Sequence, residues 1–175
     1  MILPSRGAAR WAPGLALAAA LALGGGGAAA EPPLTLRGMT FVSSEGSIHR
    51  VVVESATAIL YPDTNLVELE GGVHALLEGS EGSKSLDLHC ERGEYNLNSN
   101  DFLALGNVEG RFADGRVFRG PWMRYRAEEG LAYSDAPVEI VDGTQTLVGQ
   151  KGLRYWVRDE RLQLRGGASV TEQPE

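Results

Sequence analysis

The chain has 175 residues, with 16 basic and 23 acidic side chains and a formal charge of −7. The first thirty hold two of the basic residues, Arg6 and Arg10, and no acid, which leaves fourteen against twenty-three and a formal −9 on the remainder. That remainder suffices for one ordinary domain and not two. Its acidity speaks against nucleic acid as a partner, because phosphate binding needs clustered Lys and Arg, and against electrostatic adhesion to anionic headgroups.

The N-terminus reads as a targeting segment over residues 1–30. Arg6 and Arg10 supply positive charge, Leu15 to Leu23 an Ala-rich apolar stretch, and Ala28-Ala29-Ala30 a small-residue cleavage site before Glu31. Extended through Gly24 to Gly27, the apolar stretch approaches the ~20 residues of a membrane span. Two expectations follow: a cleaved signal peptide, or a single-span anchor over residues 11–30. Either delivers the rest of the chain across the inner membrane. Cys90 is the only cysteine, so no intramolecular disulfide is available and the fold must rest on its core and its strand pairing.

Beyond residue 34 all signals are β. Two strand-like runs come first, Met39-Thr40-Phe41-Val42 and Ile48 to Val53. Then a repeat appears in four segments, beginning at Leu60, Tyr95, Tyr125 and Tyr155. Each carries a polar turn at Asn65, Asn100, Gly130 or Glu160, and eight residues later an anchor at Val73, Val108, Val138 or Ala168. The anchors are 35, 30 and 30 residues apart. Each unit reads as strand, turn, strand, a Gly- or Pro-containing break, and a further strand, and such a period without helical signal predicts stacked β units. Glu78 to Ser83 reads as a surface hairpin loop, Asp114-Gly115 and Asp142-Gly143 as tight hairpin turns, and Thr171 to Glu175 as a frayed tail.

Period-2 alternation assigns faces. Two and four residues after the turn come Val67 and Leu69, Phe102 and Ala104, and Leu162 and Leu164. Eight and ten residues after it come Val73 and Ala75, Val108 and Gly110, Val138 and Ile140, and Ala168 and Val170. These share one parity and form one apolar face, provided the break does not shift register; a one-residue bulge would invert it. Glu68 and Gln163 fall outward, while the third repeat is weaker, with Ala132 and Ser134 at its inward places. Such an apolar row can line a groove for acyl chains, each buried methylene contributing about 0.8 kcal/mol. It can equally fill a closed β-sandwich core.

Covalent chemistry finds little support. The carboxylate pairs Glu68 and Glu70, Glu91 and Glu94, and Glu128 and Glu129 read as solvated sheet faces rather than an acid/base pair. His49, His74 and His89 lie 25 and 15 residues apart with no local ligand spacing, so no metal is expected. His89 and Cys90, adjacent on a strand, point to opposite faces. Cys90 shares the parity of Leu86 and Leu88 and reads as a buried thiol. No Gly-rich loop precedes a helix, and no serine sits in a nucleophile elbow. No catalytic residue and no cofactor are therefore expected. The recurring Tyr61, Tyr95, Tyr125 and Tyr155 read as packing anchors.

Taken in order, Met39-Thr40-Phe41, Glu54 to Tyr61, Leu69-Glu70-Gly71-Gly72-Val73, Cys90 to Tyr95, Leu105-Gly106-Asn107-Val108 and Asp135 to Ile140 resemble the LptC/LptA/OstA-like family of lipopolysaccharide-export proteins. The LptC-like branch is the closer match, and the likeness runs over residues 34–170. The resemblance implies an elongated antiparallel β-jellyroll, a V-shaped double sheet, in the periplasm. It implies a relay role: lipopolysaccharide accepted from the permease subunits of an inner-membrane ABC transporter and passed along an apolar groove to an LptA-like bridge protein. The C-terminal edge, at Leu162, Leu164, Ala168 and Val170, would join the next jellyroll, and head-to-tail self-association would use the same geometry. The alternatives are a soluble LptA-like bridge and an envelope adaptor that binds no lipid.

Overall fold

Alternating apolar residues with little helix-forming bias should give long strands half-buried on one face. A computed structural model describes residues 31–45, 49–78 and 84–172, and every element in it is a strand. In chain order these are β1 (Leu34–Glu45), β2 (His49–Tyr61), β3 (Leu66–Glu78), β4 (Lys84–Asn96), β5 (Phe102–Phe112), β6 (Val117–Arg126), β7 (Leu131–Ser134), β8 (Val138–Asp142), β9 (Gln145–Gly149), β10 (Leu153–Trp156), β11 (Arg161–Leu164) and β12 (Ala168–Glu172). All pairings are antiparallel and belong to one sheet that does not close on itself. The fold is the expected all-β jellyroll.

β1 to β6 form a meander, after which the sheet forks. One end of β6 pairs with β7, followed by β10 and β11; the other end pairs with β8, followed by β9 and β12. The fork marks a crease crossing every pass of the chain. In β1 the crease falls at Gly38, and in β2 at Ala56, which lies in the register gap between Ser55 and Thr57. It continues through Gly71-Gly72 in β3 and Gly106-Asn107 in β5, where the register against neighbouring strands also shifts. Residues 135–137, 150–152 and 165–167 then separate β7 from β8, β9 from β10 and β11 from β12. An extra residue opposite a shorter partner bends a strand and strengthens its twist. Repeated across neighbouring strands, the bend folds the sheet into an upper half, containing β7, β10 and β11, and a lower half, containing β8, β9 and β12.

The repeat has a direct structural meaning. Its four turn positions all adopt left-handed backbone: φ is 54° at Asn65, 58° at Asn100, 57° at Gly130 and 48° at Glu160. These turns gather at the tip of the upper half and bond to one another. The Leu97 amide donates to the Asn65 carbonyl (2.8 Å), the Val157 amide to the Gly130 carbonyl (2.9 Å), and the Ala127 amide to an Asp101 carboxylate oxygen (3.0 Å). The break always occupies the sixth and seventh residues after the turn. Two residues long, it preserves parity, so the faces assigned from the sequence hold on both sides of it.

Contacts across the fold show the halves packed face to face. Phe41 of the lower half packs at a tilt against Tyr95 of the upper (4.4 Å between centroids), and Phe112 of the lower against Tyr155 of the upper (4.7 Å). Ser43 Oγ and Tyr95 Oη both donate to Asn100 Oδ1, tying β1 to the tip of the β4–β5 hairpin.

Several boundaries differ from the sequence reading. The two opening runs are parts of strands twelve and thirteen residues long, because Ser and Thr on both faces, the buried Ser55 among them, carry the pairing past the apolar stretches. β12 runs to Glu172, so Thr171 and Glu172 pair with Thr146 and Gln145 instead of belonging to the tail. The targeting segment, Ile48, the loop at 79–83 and residues 173–175 lie outside the described residues. Among the described residues, no helix is long and apolar enough to cross a membrane.

Candidate functional site

The inner face is the first candidate. Val67, Leu69, Phe102 and Ala104 reach it from the upper half, and Val73, Ala75, Val108, Val138 and Ile140 from the lower. All nine are 0–2 % exposed and belong to one contiguous core. Over the middle of the molecule they form a packed seam rather than an open trough. Leu162 and Leu164 on β11 pack against this core only in part. Ala168 and Val170 lie on β12, opposite Gly149 and Leu147 of β9.

Much of the seam's bulk comes from residues before each turn. Tyr95, Tyr125 and Tyr155, five residues ahead of their turns, are fully buried, and Met123 and Leu153 lie two residues further back. Tyr61 departs from the set. It stands four residues before its turn, so it faces outward and donates to Glu68 Oε2 at 3.0 Å, while Leu60 takes the inward place. The mirror of the post-turn alternation, counted backwards through the turn, identifies all these positions from sequence. Burial pushes the Tyr155 phenol up to about 12, with the charges of Glu160 and Asp114 adding to the effect. Burial likewise raises the Cys90 thiol, which donates to the Arg92 carbonyl.

The seam opens at β1. The register places Leu34 opposite Leu60 and Leu36 opposite Ala58, so both face inward, yet they are 51 % and 44 % exposed. At this margin the apolar lining continues with nothing packed over it. β1 pairs only with β2, β11 only with β10, and β12 only with β9. Among the described residues the sheet therefore ends in two unpaired edges, one at β1 and the other made by β11 and β12.

The outer face holds a group the sequence reading did not assemble. His74 on β3 stands opposite His89 on β4, and their rings stack in parallel with centroids 4.5 Å apart. Asp87 Oδ1 lies 2.7 Å from His74 Nε2 and 3.4 Å from His89 Nε2. His74 and His89 lack local ligand spacing, yet the antiparallel pairing of β3 with β4 brings them together. The signal was an Asp-x-His on one strand with a histidine at the mirrored place on the other. Of the carboxylate pairs, Glu70, Glu91, Glu128 and Glu129 are exposed, while Glu68 and Glu94 are half-buried partners across β3 and β4.

The chain matches no family model, and no curated protein matches it at significant similarity.

Proposed function

We propose that this protein is a non-enzymatic lipid-relay component of the cell envelope. In this reading it works in the periplasm, free or anchored by residues 11–30, and takes lipopolysaccharide from an inner-membrane ABC transporter for delivery to an LptA-like bridge protein. The observation that carries the proposal is the open margin at β1. A folded sheet with an apolar inner face presents Leu34 and Leu36 inward and uncovered at the end of a continuous buried seam. Acyl chains entering there exchange water for apolar contact at about 0.8 kcal/mol per methylene. They wedge the halves apart from the free edge, since the halves are joined covalently only at the crease. The unpaired edges at β1 and at β11 and β12 suit strand addition by neighbouring jellyrolls, and energy for transport would come from the transporter.

A second reading draws on the packed middle of the seam. With Tyr95, Tyr125 and Tyr155 buried there, the same chain could be an adaptor with a filled core that works through its edges alone. Native mass spectrometry of protein purified from lipopolysaccharide-producing cells distinguishes the two. Relay activity predicts a fraction of the protein carrying a glycolipid mass that organic extraction removes. Protein that is folded, envelope-located and free of lipid supports the adaptor.

A further inference from the structure

We propose that His74, Asp87 and His89 form a binding site for one zinc-class divalent cation on the outer face of the β3–β4 hairpin. Three features of the fold place the donors. Asp87 and His89 are two apart on β4 and so share a face, and His74 is directly opposite His89 in register. The ligand atoms of all three lie within 4.8 Å of one another. Zinc bound tetrahedrally at its usual 2.0–2.2 Å to nitrogen and oxygen needs donors about 3.3 Å apart, so modest side-chain rotation closes the site. The side chains have room for this, being 36 % exposed at His74, 66 % at His89 and 27 % at Asp87.

The surroundings carry both signs of charge, with Arg111 of β5 opposite Asp87 and two carboxylates beside the histidines. Glu54 Oε2 is 3.6 Å from His74 Nδ1, where a carboxylate orients a metal-bound imidazole and strengthens it as a donor. Glu109 stands opposite His89 on β5, with Arg119 engaged to it at 3.0 Å. An open hollow of about 640 Å³, bordered by Thr40, Gly72 and Val73, adjoins both histidines. Two imidazoles and one carboxylate select zinc, copper or nickel over magnesium and calcium, which prefer all-oxygen sites. Cys90 points into the core and takes no part. The cation would staple β3 to β4 across their hairpin. Without it, the His74–Asp87 hydrogen bond holds the group together.

Calorimetric titration of zinc chloride into the untagged full chain tests this. One equivalent should bind, and affinity should fall by about tenfold or more in each of His74→Ala, His89→Ala and Asp87→Asn, while His49→Ala binds as wild type. Zinc should also raise the melting temperature of wild type and leave that of the two histidine variants unmoved. Ring-nitrogen NMR shifts of the unmodified protein give a readout independent of any variant: two of the three histidines must move with zinc. Absence of saturable binding, affinity unchanged in any one of the three ligand variants, or zinc shifts at a single histidine would overturn the site.

Discussion

At Gly71, φ is +81° and an added Cβ would lie 2.8 Å from the Cβ of Ala56; at Gly72, φ is +85° and an added Cβ would meet nothing. Left-handed backbone costs a non-glycine residue about 1–2 kcal/mol. Gly72→Ala should therefore lose about that much stability in urea unfolding, and Gly71→Ala distinctly more; equal losses would mean the crease does not depend on close approach of β2 to β3. Tyr155 supplies a pH dependence. Its phenol is held up to about 12 in the fold, whereas an unfolded tyrosine releases its proton near 10. The folded state thus retains a proton that the unfolded state loses. Stability is unaffected below pH 10 and falls as pH rises from 10 towards 12, by up to about 1.4 kcal/mol per pH unit. Tyr155→Phe should remove that component of the alkaline slope, and an unchanged slope would place the phenol elsewhere. Single residues were legible where alternation was counted forward from a turn, as at Val67 or Phe102. They were missed where the alternation was not carried back through the turn, as for Leu60 replacing Tyr61, and where position depended on a partner strand, as for His74 meeting His89, because pairing register is a property of two segments together.

The central strands β3, β4 and β5 each have two neighbours along their length, whereas β1 has one, and β11 and β12 are four and five residues long with one neighbour each. Amide exchange in dilute protein should accordingly be slowest in β3 to β5 and fastest in β1, β11 and β12. If the edges pair between molecules, raising the protein concentration should slow exchange in β1 and in β11 or β12 while leaving β4 unchanged. Edge amides as protected as β4 at every concentration would contradict the open sheet. The strands after residue 60 could be read because apolar alternation and turn residues coincide there. β1 and β2 were read short, since their Ser and Thr residues, inward at Ser43 and Ser55, pair as strand without announcing themselves as core. The fork after β6 was hidden as well, because Ser134 to Pro137 and Gln150 to Gly152 look like ordinary loops until the whole crease is seen.

For the molecule as a whole, a two-residue break repeated at a fixed distance from each turn turns a flat meander into a folded sheet with its apolar side inward. The parity of that face could be read in the sequence; the tightness of its middle could not, since packing depends on the tyrosines before the turns meeting Phe41 and Phe112 across the seam. Lipid handling requires the seam to admit acyl chains from the β1 margin, and the most direct test is site-specific photo-crosslinking in lipopolysaccharide-producing cells. A photoreactive residue at Leu36 or Leu164, inward but incompletely covered, avoids disrupting the packed positions such as Leu69, and Gln163 serves as the outward control. Glycolipid adducts at Leu36 and Leu164 and none at Gln163 are the predicted result. Folded, envelope-located protein with no adduct at either inward site, or with equal adducts at Gln163, would contradict a lipid-carrying seam.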